Sequence, residues 1–260
     1  MFGLSRLHRL TSAAARERLL ARAVDLGFCQ FDVARSYGDG FAEEELGRFL
    51  KASPRRDDLL IATKFGIPAM PIGAKPPWLA NGLRQARTVA RKAGLWPRPA
   101  RAWDRTALQR SLALSLRALQ RDRVDLLFLH QPDLEALAGV DDLIEEVGRL
   151  KAAGTIGRIG LSGGWAACRA IATRHPALAD VLQVKETEWS GDDPTPDLTF
   201  SAMSRGPQSF RLGGLDPETA ARRLHAALRR RLAGAVVVST TRPDHLQRLA
   251  AIAAERGAAG

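Results

Sequence analysis

The 260-residue chain has two cysteines, one tyrosine and no apolar run near the length of a membrane span. Cys29 and Cys168 stand far apart and in no C-x-x-C pattern, which argues against a disulfide framework, a zinc site or a redox dithiol and for a reduced compartment. A bilayer helix needs about 18 consecutive apolar residues, so no membrane insertion is expected. The first 28 residues hold no signal-peptide core. Arg6, Arg9 and Arg16 precede the first acid, Glu17, which faintly suggests a mitochondrial leader; the expectation is instead a first strand and a first helix. The cytoplasm is the expected location.

Several motifs are missing too. There is no G-x-G-x-x-G, which speaks against a Rossmann dinucleotide site, and no G-x-x-x-x-G-K-[ST], H-E-x-x-H or G-x-S-x-G. The five histidines (8, 130, 175, 225 and 245) show no metal-ligand spacing. No metal is expected.

Acidic charge is scarce in one place. The chain carries a net charge of +11. Residues 66–105 hold Lys75, Arg84, Arg87, Arg91, Lys92, Arg98, Arg101 and Arg105 against Asp104 alone, a local excess of seven positive charges. No zinc finger, RNA-binding aromatic signature or zipper accompanies it, so a nucleic-acid partner is not expected. An anion-attracting mouth is the better reading, with preference for an anionic or large polar substrate. The same stretch holds six prolines (68, 71, 76, 77, 97 and 99) with Trp78, Trp96 and Trp103. A connection of this length and composition is usually a binding loop or a disordered segment.

What is present is an alternation of short apolar runs with helical patterns, the mark of a parallel sheet with crossover helices. Strands are expected near Phe2–Leu4, Gln30–Val33, Leu59–Thr63, Val124–Leu129, Arg158–Leu161, Val181–Val184, Leu198–Phe200 and Ala235–Val238. Eight strands suit a single-domain (β/α)₈ TIM barrel over residues 1–260. Helical stripes run through Leu108, Leu112, Leu116 and Leu119, through Leu143, Ile144, Val147 and Leu150 up to Gly154, and through Ala220, Leu224, Leu228 and Leu232 after an Asp216-Pro217 start.

Barrel active sites sit at the carboxyl ends of the strands. Those ends offer Asp32 after the second strand, Lys64 after the third and His130 after the fourth, with Tyr37 five residues beyond Asp32. Alone, each has an ordinary structural reading as a cap, a solvated cation or a satisfied imidazole. Together they make a coherent group: an Asp–Lys pair beside a phenol is expected to lower its pKa. A tuned phenol can act as general acid to a carbonyl oxygen, and a histidine can hold that oxygen. The hydride must come from a cofactor.

At this point the chain resembles the aldo-keto reductase family. Phe31-Asp32-Val33-Ala34-Arg35-Ser36-Tyr37-Gly38, with Ala42-Glu43 and Leu46-Gly47, is similar to the family's Asp–Tyr signature. Ile61-Ala62-Thr63-Lys64-Phe65-Gly66 resembles its lysine strand, and Val124 to Asp133 its histidine strand. The resemblance implies Asp32, Tyr37, Lys64 and His130 as catalytic residues and NADPH or NADP as cofactor. It also implies interconversion of a small carbonyl compound and its alcohol. For the cofactor it implies Ser162, Gly163 (where the family has Asn), Gln183 and Glu186 (where the family stacks an aromatic ring). It adds Ser201, Met203 and Arg205 on the seventh loop and Ser239, Thr240, Thr241, Arg242 and His245 on the eighth. Trp189 could fill the aromatic gap if the register shifts. The family's amino-terminal hairpin is not expected in this chain, and the stretch between Gly206 and Asp216 is short. Gly163 and Glu186 keep open two other readings: redox-neutral chemistry beside a carbonyl, and a non-catalytic binding protein on the same barrel.

Overall fold

A computed structural model describes the chain except residues 70–78, 80–81, 84–85, 87–88, 91–92, 96–99, 138, 192–193, 204–215, 231–233 and 258–260. Eight strands run parallel in sequence order: β1 Phe2–Gly3, β2 Gln30–Asp32, β3 Leu60–Phe65, β4 Val124–His130, β5 Ile156–Gly163, β6 Val181–Lys185, β7 Leu198–Phe200 and β8 Ala235–Val237. Phe2 pairs with Val238, and Gly3 N–H donates to the Val238 carbonyl at 2.7 Å, so the last strand meets the first. The helices among the described residues are α1 Ala13–Asp25, α2 Phe41–Ala52, α3 Arg105–Leu119, α4 Val140–Ala152, α5 Trp165–Arg174, α6 Pro217–Arg229 and α7 Pro243–Gly257. This is a (β/α)₈ barrel.

Sequence chemistry explains the starts and stops. Asp104 and Asp216 cap α3 and α6, each accepting from a backbone N–H three residues on at 2.8 Å, and Pro217 stands where its missing N–H costs nothing. Leu108, Leu112 and Leu119 of α3 and Leu143, Val147 and Leu150 of α4 are buried, the faces read from helical spacing. Gly154 follows α4 at φ +69°, and Thr155 N–H reaches back to the Leu150 carbonyl, closing the helix. Leu232 of the third stripe lies outside the described residues.

Two layers of core result. The larger fills the space between sheet and helices. A smaller cluster joins Ala62, Phe128, Val181 and Leu198 with Met1, Leu126 and Ala235, from strands all around the barrel. Side chains alternate faces along a strand. Lys64 therefore shares a face with Ala62, His130 with Phe128, and Gln183 with Val181. The polar residues sit on top of that apolar floor. The lysine and histidine strands run further than expected, so Lys64 and His130 belong to the strands themselves rather than following them.

Candidate active site

Asp32 ends β2 and is 3% exposed. Its Oδ2 accepts from Lys64 Nζ at 2.6 Å and from Gln183 Nε2 at 2.7 Å. Its Oδ1 accepts from the Tyr37 hydroxyl at 3.5 Å. Lys64 Nζ also donates to the Val33 carbonyl, and Ser162 Oγ donates to Gln183 Oε1 at 2.5 Å. One carboxylate thus gathers groups from β2, β3, β6 and the loop after β2. Asp32, Tyr37, His130, Ser162 and Gln183 line a single cavity of about 880 Å³ at the carboxyl ends of the strands, with Lys64 behind them.

Tyr37 and His130 meet edge to face with ring centroids 6.0 Å apart. Ser36 Oγ lies 3.4 Å from His130 Nδ1. Burial, with the charges of Lys64 and Arg101, pushes the His130 pKa down to about 3, so the imidazole is neutral in use. The phenol departs from expectation. Loss of water, the Asp32 charge and the hydrogen bond to Asp32 hold its pKa well above 10. The Lys64 ammonium, committed to Asp32 and 5.0 Å from the Tyr37 ring centroid, does not outweigh these effects. Burial lowers the Lys64 pKa as well, opposed chiefly by Asp32.

A second buried group holds the loop that carries Tyr37. Glu43 of α2 is fully buried; its Oε2 accepts from Arg35 Nη1 and its Oε1 from Thr63 Oγ1, both at 2.6 Å. Arg35 lies two residues before Tyr37, and Thr63 directly before Lys64. In the sequence Arg35 and Glu43 stand inside the Asp–Tyr motif with nothing to mark this role except an acid in the first turn of the helix that follows the Tyr37 loop. A third tie comes from the long connection after β3. Trp103, 3% exposed, donates from Nε1 to the His130 carbonyl at 3.2 Å, and Ala102 N–H donates to the Gly66 carbonyl at 3.1 Å. A Cβ on Gly66, at φ +106°, would stand 2.1 Å from the Trp103 indole nitrogen. The carboxyl end of this connection therefore packs on the mouth of the barrel. Lys75, Trp78, Arg84, Arg87, Arg91, Lys92, Trp96 and Arg98 lie outside the described residues.

The expected cofactor residues divide. Ser162, Gln183, Ser201, Met203, Ser239, Thr240, Thr241, Arg242 and His245 line the cavity with the catalytic group, joined by Phe200, Arg248 and Arg6. Arg205 lies outside the described residues. Arg242 faces Asp244, at 2.7 Å. Glu186 and Gly163 are not among the cavity's lining residues. The Glu186 carboxylate accepts from Thr199 Oγ1 at 2.6 Å and from Arg230 Nη1 at 3.1 Å, and so turns to the neighbouring strand and helix rather than to the place of a stacking ring. Trp189 does not fill the gap either; it is buried beneath the Arg230 guanidinium, 4.4 Å from its ring centroid. The aromatic rings in the described cavity wall are those of Phe200 and Tyr37, with the imidazoles of His130 and His245. A Cβ on Gly163 would meet the Gln131 backbone at 3.3 Å, a tight fit for any larger residue. No group of three or more metal-binding side chains occurs among the described residues, and no described helix is long and apolar enough to cross a membrane.

The chain is similar to known proteins along much of its length. Residues 1–186 match the model of the aldo/keto reductase family. Over 149 residues it is 35% identical to a D-threo-aldose 1-dehydrogenase of a Pseudomonas species, covering 55% of this chain and 42% of that one. Over 195 residues it is 29% identical to an NADP(+) aldo-keto reductase of Schizosaccharomyces pombe, covering 73% and 48%. The chain thus spans about half the length of the curated relatives it matches. Its fold superposes on an aldo-keto reductase from Klebsiella pneumoniae, solved in complex with NADPH, with a TM-score of 0.68 at 18% identity, over 96% of this chain and 84% of that one. With the family model matched over more than half of its residues, the chain belongs to the aldo/keto reductase family.

Proposed function

We propose that the chain is an NADP-dependent oxidoreductase that interconverts a small carbonyl compound and its alcohol, with Tyr37 as general acid and base. The observation that carries this reading is the convergence of Asp32, Tyr37, Lys64 and His130 at a cavity of about 880 Å³ whose wall also holds Thr240, Thr241, Arg242, His245 and Arg248, donors suited to a phosphate-bearing molecule.

The residues present fit a dinucleotide. Ser239 Oγ is buried without a hydrogen-bond partner at the end of β8. Thr240, Thr241, Arg242, His245 and Arg248 cluster at the start of α7, where a helix amino terminus favours phosphate. Ser162 and Gln183 offer a hydroxyl and a carboxamide at the catalytic end. The bound cofactor would supply the hydride, which no side chain carries.

The chain's own groups do the rest. Asp32 and Lys64 neutralise each other and hold the floor of the site. The phenol keeps its proton at neutral pH and delivers it from Oη to the carbonyl oxygen as charge develops there. Neutral His130 holds the same oxygen with a ring N–H. A phenol with a raised pKa loses its proton to water only in alkali, so the acid form that carbonyl reduction needs is the form present near neutrality. The redox-neutral reading loses ground because Glu186 faces Arg230 and Asp32 is committed to Lys64 and Gln183, so neither carboxylate is a free base beside the phenol. The unpaired Cys29 and Cys168 suit a reducing, cytoplasmic setting, and the basic excess suits small anions rather than nucleic acid.

The test is direct. Purified protein should bind NADPH in a calorimetric titration and consume it when short aldehydes are added. Failure to bind NADPH at millimolar concentration defeats the redox reading.

A further inference from the structure

Arg6 is a charged residue of the cavity that the family reading leaves unused. It follows β1 by three positions and lines the cavity with Asp32, Tyr37 and His130. The turn after it, Leu7–Arg9, lies against the catalytic loop: a Cβ on Gly38, next to Tyr37, would come within 2.8 Å of His8 Cβ. Arg6 therefore lies in the chain between Gly3, which sits against Ser239 at the end of β8, and His8, which sits against the loop that carries Tyr37.

No hydrogen bond or ion pair engages the Arg6 side chain among the described residues. That sets it apart from the acids and bases around it. Asp32 is taken by Lys64 and Gln183, Glu43 by Arg35 and Thr63, and Arg242 by Asp244. The charge of Arg9 bears on Arg6 from the same turn. On another side of the mouth, Arg101 directly precedes Ala102 and Trp103, which are tied to Gly66 and to the His130 carbonyl. Its charge reaches His130. Two exposed guanidinium groups, unpaired among the described residues, thus stand near the two neutral donors, Arg6 in the cavity wall and Arg101 close enough for its charge to act on His130.

We infer that the natural substrate carries an anionic group, carboxylate or phosphate, away from its reacting carbonyl, and that Arg6 grips that group with support from Arg101. The inference rests on the carbonyl-reduction reading. A guanidinium fork binds either anion through two parallel hydrogen bonds. The positive rim also draws anions toward the mouth. The cofactor's phosphates have their own donors at the start of α7, so Arg6 is left for the second molecule.

The test pairs neutral and charged aldehydes: butanal with succinate semialdehyde, and glyceraldehyde with glyceraldehyde 3-phosphate. Each is assayed with NADPH on wild type, Arg6→Met and Arg101→Gln. Wild type should favour the charged member of at least one pair in kcat/KM, and which pair does so separates a carboxylate from a phosphate substrate. Arg6→Met should lower the charged-to-neutral ratio by about tenfold to a hundredfold, the worth of one charge-assisted contact. Arg101→Gln should lower it less. An unchanged ratio in Arg6→Met overturns the inference. So does a weakened NADPH affinity with an unchanged ratio, since Arg6 would then serve the cofactor. A binding arm stands apart from turnover: calorimetry of glycerol 3-phosphate against glycerol on the protein alone. Glycerol 3-phosphate binding that is lost in Arg6→Met and kept in Arg248→Met supports the site even if no aldehyde is reduced; the reverse pattern overturns it.

Discussion

At the scale of single residues, the site is a set of charges arranged to cancel. Lys64 and Asp32 neutralise each other at 2.6 Å, and this leaves Tyr37 and His130 as uncharged donors. Tyr37→Phe should retain the fold and NADPH affinity and lose about 10²–10⁴-fold in turnover, the usual worth of general acid catalysis. A variant within about threefold of wild type would show that the proton comes from elsewhere. The pH profile follows from the two shifts. His130 titrates at about 3, below its ordinary 6.5, so it is neutral throughout the working range. Tyr37 titrates above 10, so its acid form persists from neutral to alkaline pH and is lost only as pH rises through that raised value. Reductive kcat/KM should therefore be flat across pH 6.5, with its fall on the alkaline side. An inflection near 6.5 would mean that His130 is hydrated and charged in the working enzyme.

At the scale of elements, the question is what fixes the loop carrying Tyr37 against the strand carrying Lys64. Glu43 does so from α2, with Arg35 on one oxygen and Thr63 on the other. Removing one partner of a buried pair leaves the other charge uncompensated, at a cost of about 3 kcal/mol or more. Glu43→Ala should lower the urea midpoint accordingly without changing the slope, and should lower kcat as Tyr37 loses its place. A loss under about 1 kcal/mol would show the pair to be incidental. The helix bearing Glu43 is itself held close to α3 by a missing side chain: a Cβ on Gly47 would stand 2.1 Å from the Ala118 carbonyl oxygen.

At the scale of the molecule, the active site is also part of what closes the barrel. Asp32 links three strands from the inside, through Lys64 on β3 and Gln183 on β6. Lys64→Met leaves a buried carboxylate unpaired and should destabilise the fold by about 3–5 kcal/mol. Asp32→Asn combined with Lys64→Met removes both charges and should recover much of that loss while staying inactive. Additive losses in this double-mutant cycle would mean that the two charges are not coupled.

Much of this was readable in the chain. Eight apolar runs alternating with helical stripes specify parallel strands and crossover helices, because both faces of a barrel strand are buried and one face of each helix is. The residues Asp32, Lys64 and His130 were legible because they stand at the carboxyl ends of the strands, where barrel sites gather; period-two alternation then turns them toward the interior. Tertiary structure alone decided the rest. Glu186 stands where the family resemblance implies a stacking ring, yet its carboxylate turns to Arg230 and Thr199, because a buried charge takes the nearest partner and those partners are distant in sequence. The Tyr37 pKa moves up rather than down because burial strips the phenol of water and the Asp32 carboxylate it donates to adds to that effect. Sequence spacing puts Tyr37, Asp32 and Lys64 together. Which of them touch depends on distances of a few ångströms, and those are set by the packing of β2, β3 and the loop held by Glu43.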